Sequence, residues 1–343
     1  MDREFRIGIT PDFDRNAKGL IDPVLAERLD GIPGVGYGRL LDVGPIATPA
    51  QLRDVDAVIN LALTFGPESF TGHDRLTVIA RWGVGYEMID VDACTANDVA
   101  LCITPEGVRH PVAEAEMAMV LALSKRLTAK DRALRGGVWR GEGVGLGVCI
   151  RDRIVGTIGL GNIGSAFVQL VRTFGPRRIL ACDPYVTTAP EALGVELVSL
   201  ETLMRDADFV IVNCLLNKET HHLLGARELG LMKPTAYLVN CARGGIVEPG
   251  ALYETLATGR IAGAALDVFE PEPPNLADPL LRLDNVIVAP HAIAWTEEIV
   301  RDNAVADCEA CLAVFRGEAP KHIVNRAVLD RPGFQAKLAR YRR

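Results

Sequence analysis

The chain has 343 residues, of which 49% are hydrophobic and 24% charged, and its formal net charge is −7. That length exceeds one ordinary core and predicts two domains of globular composition, neither disordered nor collagen-like. The acidic balance excludes a nucleic-acid backbone as partner, which needs a surplus of Lys and Arg, and the apolar runs are far too short to span a membrane.

The opening residues, Asp2, Arg3 and Glu4, carry no signal-peptide pattern, so the expected compartment is the cytoplasm. Eight cysteines are scattered along the chain, and only Cys308 and Cys311 form a CxxC, inside a helical pattern. With no second pair to complete a zinc site, they are expected to be buried reduced thiols, and no metal is expected.

Short apolar runs alternate with helical stretches. Segments 6–10, 57–60, 77–81 and 100–103 predict buried parallel strands, with a helix at 20–29. Segment 110–134 predicts one long helix, its apolar residues Val112, Ala115, Met119, Leu123 and Leu127 recurring near a 3.6 period, with Pro111 in the first turn and Gly136 and Gly137 as the stop. A Gly-rich arm, about 136–147, interleaves Val138, Trp139 and Val144 and predicts a contact with another subunit or domain. A second series then predicts strands at 154–158, 178–181, 209–212, 236–239, 262–266 and 286–288. Helices fall at 163–174, 200–205 and 249–258, and a last long helix at 297–315 lies outside the series. Such alternation implies α/β architecture with parallel sheets covered on both faces.

Residues 155–164 read VGTIGLGNIG, so Gly159, Gly161 and Gly164 form GxGxxG. An apolar strand precedes the motif, an apolar helix follows it, and Asp183 ends the next strand, 19 residues beyond Gly164. Gly159 allows the tight turn, Gly161 admits a pyrophosphate to the backbone, and Gly164 lets helix and strand pack closely. The helix N-terminus offers N–H groups and a favourable dipole to phosphates. Asp183 can accept both ribose hydroxyls and would repel a 2′-phosphate, which favours NAD over NADP.

Reduction of a 2-oxo acid needs a cation for the carboxylate and ketone, an acid for the developing alkoxide, and a carboxylate to keep that acid protonated. Arg243, after a strand and before Gly244 and Gly245, offers a planar fork. His291, after the strand at 286–288, titrates near neutral pH. Glu272, flanked by Pro271 and Pro273, is the candidate support for His291, with Glu270 a rival two positions earlier.

These motifs, with RWGVGY at 81–86, VAE at 112–114, 240–248, 266–273 and Pro290-His291, resemble the D-isomer-specific 2-hydroxyacid dehydrogenase family over nearly the whole chain. The resemblance implies two Rossmann-like doubly wound parallel-sheet domains. An NAD domain, 109–296, is inserted into a split substrate domain, 1–108 and 297–343, and the arm serves a homodimer. It places the catalytic trio on Arg243, Glu272 and His291, selecting Glu272 over Glu270. It maps cofactor contacts to Asn162, Ile163, Asp183, Cys214, Cys241, Ala242 and Asp267. It assigns the substrate carboxylate to backbone N–H groups around Trp82, Gly83 and Val84, with Arg81 at a position some members use for substrate.

Three departures stand out. Segment 60–62 reads Asn60-Leu61-Ala62 where phosphate-binding members often carry a basic residue, which argues against a phosphoglycerate substrate. Glu87 replaces a common Asp. Ala292-Ile293-Ala294-Trp295 replaces a small, Gly-rich segment, and Trp295 either narrows the pocket or packs. The expected activity is hydride transfer between NAD(H) and C2 of a small 2-oxo or D-2-hydroxy acid. The alternatives are a corepressor-like or sensing NAD-binding protein on the same scaffold, and a phosphite or formate dehydrogenase.

Overall fold

The structure is a computed structural model and describes residues 4–72, 74–141 and 144–342. The chain divides into two compact units, one made of Met1–Val108 with Thr296–Arg343 and the other of Arg109–Trp295. No helix among the described residues is long and apolar enough to cross a membrane.

The first unit holds β1 (Phe5–Ile9), β2 (Val35–Arg39), β3 (Ala57–Asn60), β4 (Val78–Arg81) and β5 (Ala100–Ile103). They form one parallel sheet in the order β2-β1-β3-β4-β5. This 2-1-3-4-5 order is the second common doubly wound arrangement, distinct from the dinucleotide-type order of the other unit. The helix Glu297–Phe315 returns to this unit and packs on β3, β4 and the helix Asp22–Leu29.

The second unit holds β6 (Ile154–Ile158), β7 (Arg178–Cys182), β8 (Glu196–Leu197), β9 (Phe209–Val212), β10 (Tyr237–Asn240), β11 (Gly263–Leu266) and β12 (Val286–Val288). Their order is β12-β11-β10-β9-β6-β7-β8, all parallel. Renumbered from β6, this is 3-2-1-4-5-6 with one added edge strand, so the order reverses between β6 and β9. β6, β9 and β11 are buried along their whole length, as expected of strands covered on both faces. The helix Asn162–Arg172 docks on this sheet through Ala166, Phe167, Val168 and Val171. Its two valines disfavour an isolated helix by a few tenths of a kcal/mol each, whereas each large buried side chain contributes about 2 kcal/mol. Packing therefore decides this helix.

The long helix predicted at 110–134 is corrected in two ways. It begins earlier, at Pro105, and breaks at Arg126, whose φ of 52° is left-handed, into Pro105–Lys125 and Leu127–Arg135. Pro111 accordingly lies inside the helix and not in its first turn. One turn before it stands Gly107, whose carbonyl loses its usual N–H partner at Pro111 and where a Cβ would collide with Asn303 Oδ1. Gly136 caps the second piece and Gly137 follows with φ 86°, as predicted. In the arm, residues 142 and 143 lie outside the described residues.

Candidate functional site

The predicted cofactor residues stand at the C-terminal ends of adjacent strands of the second unit. Asp183 follows β7, the glycine turn follows β6, Cys214 follows β9, Cys241 and Ala242 follow β10, and Asp267 follows β11. The reversal of strand order between β6 and β9 falls in the middle of this row, where such sheets open a crevice.

Gly159 has φ 99°, and a Cβ there would stand 2.6 Å from the carbonyl of Asn213. Only glycine satisfies both the turn and that approach. Gly161 caps the helix Asn162–Arg172 without a capping side chain, and a Cβ on it would meet open space. A pyrophosphate thus has room at the turn and the N–H groups of a helix start, so the residues present fit a dinucleotide. The Asp183 carboxylate is fixed by two main-chain donors, Leu160 N–H to Oδ2 and Tyr185 N–H to Oδ1, both at 2.9 Å. Burial pushes the Cys214 thiol up to about 11 and the Cys241 thiol well above its ordinary range. Both are neutral and offer small apolar surfaces at the strand ends.

Arg243, Glu272 and His291 come from the ends of three neighbouring strands, β10, β11 and β12. The turn carrying Arg243 is pinned by the buried Asn240, whose amide donates to the Arg243 carbonyl at 2.9 Å and whose oxygen accepts from Ala242 N–H at 3.1 Å. The Arg243 Nη1 donates to the Ala242 carbonyl at 2.7 Å. A Cβ on Gly244 would overlap the main chain of Phe269, so glycine is what lets this turn lie against the segment carrying Glu272.

His291 Nδ1 lies 2.7 Å from Glu272 Oε2, while Glu272 Oε1 accepts from Phe269 N–H at 3.0 Å. Burial pushes the Glu272 carboxyl up. The hydrogen bond and charge of His291, the Phe269 N–H and the Arg243 charge outweigh that, and the net value falls below the ordinary glutamate range. An ionised Glu272 accepting from Nδ1–H leaves Nε2 as the end of the ring that gives or takes a proton. The rival carboxylate, Glu270, faces different partners, His221 and His222.

His291 itself has φ 53°. Asp267 holds it there. The Asp267 carbonyl accepts from His291 N–H at 2.7 Å, and its Oδ1 accepts from Ala292 and Ile293 N–H at 3.0 and 3.3 Å. Asp267, expected from the sequence as a cofactor contact, is therefore also the anchor of the histidine loop.

The predicted substrate loop lies in the first unit, after β4. Two of its expected donors are already used. Trp82 N–H donates to Asn60 at 2.9 Å, continuing the sheet ladder, and Gly83 N–H donates to Thr104 Oγ1 at 2.7 Å. The Trp82 ring is buried edge-on against Phe13, so it packs the first unit's interior. Arg81 Nη1 donates to the Trp82 carbonyl, and its charge faces the fully buried Asp307. Asn60 closes a local turn with Leu63, donating to its carbonyl and accepting its N–H, each at 3.0 Å.

Glu116 escaped the sequence reading because its spacing marks it only as one face of an amphipathic helix. It is 1% exposed, beside Asn213, whose amide reaches Glu116 Oε2 at 3.4 Å and Thr157 Oγ1 at 3.2 Å. Burial pushes its carboxyl well above the ordinary value of 4.5. The folded protein keeps that proton where the unfolded chain releases it, so this group makes stability fall as pH rises above about 4.5, until Glu116 ionises in the fold. Glu116→Gln is expected to remove that slope. Urea midpoints measured between pH 5 and 8 (roughly the span over which the linkage acts) check this, and identical slopes in both proteins exclude it.

A family model described as "D-isomer specific 2-hydroxyacid dehydrogenase, NAD binding domain" matches residues 117–292. The glyoxylate reductase of Aeropyrum pernix is 39% identical over 83% of this chain and 88% of its own length. The D-3-phosphoglycerate dehydrogenase of Methanocaldococcus jannaschii is 39% identical over 74% of this chain and 48% of its own. Among solved structures, the NADPH-dependent glyoxylate/hydroxypyruvate reductase of Sinorhizobium meliloti, in complex with NADP and malonate, superposes with a TM-score of 0.80. It is 28% identical and covers 94% of this chain and 97% of that one. The strand orders, the glycine turn and these similarities lead to one assignment: the chain belongs to the D-isomer-specific 2-hydroxyacid dehydrogenase family.

Proposed function

We propose that the protein is an NAD-dependent dehydrogenase that interconverts a small, non-phosphorylated 2-oxo acid and its D-2-hydroxy acid. The observation that carries the reading is the 2.7 Å pairing of His291 with Glu272, next to Arg243 and in the same unit as the dinucleotide turn. Arg243 binds the carboxylate and polarises the ketone. His291 gives its Nε2 proton to the oxygen during reduction and takes it back during oxidation, while Glu272 steadies the imidazolium. The dinucleotide, when bound, supplies or accepts the hydride. NADH absorbance at 340 nm, followed with glyoxylate, hydroxypyruvate, pyruvate and phenylpyruvate, tests the reading. A protein that binds NADH and turns over none of the four reverts to a nucleotide-binding function without this chemistry.

The preference for NAD over NADP rests on Asp183, held by two main-chain donors where a ribose would lie. A 2′-phosphate there meets a fixed like charge. NADH is expected to exceed NADPH in kcat/KM by at least about tenfold, roughly 1.4 kcal/mol, and Asp183→Ser to erase most of the gap. Equal use of both cofactors by the unaltered protein excludes this role.

A homodimer is proposed through the helix Leu127–Arg135 and the arm after it. That helix buries none of its residues and exposes Leu127 and Leu134, and Trp139 and Leu146 are 72% and 94% exposed. Leu134→Glu is expected to yield a monomer in sedimentation where the unaltered chain sediments as a dimer. A monomeric unaltered chain excludes the proposal.

A further inference from the structure

His221, His222 and Glu270 form a cluster that the hydride-transfer reading leaves unused. His221 Nε2 lies 3.1 Å from Glu270 Oε1 and His222 Nε2 lies 2.6 Å from Glu270 Oε2, and the two rings stack with centroids 3.9 Å apart. Consecutive side chains ordinarily diverge. Here His222 takes φ 53°, the left-handed region that disfavours a non-glycine residue, and both Nε2 atoms converge on one carboxylate.

The backbone beneath the cluster is anchored. His222 N–H donates to the Gly245 carbonyl at 2.8 Å and Leu224 N–H to the Ile246 carbonyl at 3.1 Å. One donor atom from each of the three side chains falls within 4.8 Å of the others. Bonding to His222 outweighs burial and holds Glu270 below the ordinary glutamate range, so the carboxylate is ionised.

We propose that His221, His222 and Glu270 form a binding site for a borderline divalent transition metal of the zinc class, with water completing the coordination. Two imidazoles and one carboxylate suit such a cation and not the all-oxygen shells of Ca²⁺ or Mg²⁺. Bond lengths of about 2.0–2.1 Å in a tetrahedron put ligand atoms about 3.3 Å apart. The present separations of 2.6 and 3.1 Å lie about 0.7 and 0.2 Å short of that, and the stacked rings must tilt apart to aim both Nε2 lone pairs at one cation. The side chains are 50%, 37% and 35% exposed, which leaves both the freedom to open and a face for water. Bound there, the cation clamps the 220–224 segment to the segment that continues to Glu272. The proposal stands independently of the enzymatic reading.

Untagged protein, stripped with a chelator and titrated with Co²⁺, tests it. One equivalent is expected to give a visible d–d band without a thiolate-to-metal band in the near ultraviolet, and Zn²⁺ is expected to displace it. His221→Ala and, separately, Glu270→Gln, which keeps the side-chain shape, are each expected to weaken binding by about a hundredfold or more. Zn²⁺ is expected to raise the Tm of the unaltered chain and not that of either variant. Absence of the band, a thiolate band, or unchanged affinity in both variants overturns the site.

Discussion

His291→Ala is expected to lower kcat for reduction of the best 2-oxo acid by about 10²–10⁴-fold, with the Kd for NADH near normal. The asymmetry follows from where the ring is held. Its Nδ1 is committed to Glu272, so Nε2 is the proton-bearing end, and nothing in the glycine turn or around Asp183 depends on it. The loop survives loss of the ring because Asp267 grips main-chain N–H groups of residues 291–293 and not the imidazole. Alanine keeps φ 53° without histidine's relative tolerance of that region, so His291→Asn is the companion variant, since asparagine tolerates that conformation. Both should lose turnover alike. NADH binding, read by fluorescence, separates a chemical defect from a collapsed loop. Wild-type turnover in both variants removes His291 from the mechanism.

Six of the seven strands described in the second unit were legible because parallel strands of such a sheet are written as apolar runs, and the two-residue edge strand Glu196–Leu197 was not. Ile154–Ile158 and Phe209–Val212 match their predicted limits residue for residue. Val35–Arg39 was not legible: it is a half-exposed edge strand with Gly36 and Gly38 in its five residues, so it has neither a continuous run nor alternation. The break at Arg126 was hidden for another reason. The apolar spacing from Val112 to Leu127 runs straight through it, and one left-handed residue leaves no compositional trace. At the site, residue types and the positions after strands indicated Arg243 and His291 but left Glu270 and Glu272 equivalent, and only the family resemblance selected Glu272. Three-dimensional geometry separates them, sending Glu272 to His291 and Glu270 to the His221–His222 pair. The substrate loop shows the converse limit. The residues of a donor loop can be read from a sequence, but whether Trp82 and Gly83 spend their N–H groups on Asn60 and Thr104 cannot.

Arg243→Gln is expected to cost about 10²–10³-fold in kcat/KM, shared between a higher KM for the oxo acid and a lower kcat. The split follows from two tasks. Binding the carboxylate acts on ground and transition state alike and so appears in KM. Stabilising charge that develops on the ketone oxygen acts only in the transition state and so appears in kcat. The Arg243 backbone is fixed by Asn240, and the close approach of Gly244 to Phe269 holds the turn against the Glu272 segment. Glutamine should therefore leave the turn in place and remove only the guanidinium. Its loss also takes a favourable charge from Glu272, whose carboxyl should then titrate higher. Arg243→Lys is the sharper variant. It keeps the charge and loses the planar fork, so it should restore much of the carboxylate affinity and little of kcat. If lysine recovers both in full, Arg243 acts as a point charge alone. If glutamine leaves both unchanged, the acid is held elsewhere, and Arg243 has no part in the chemistry.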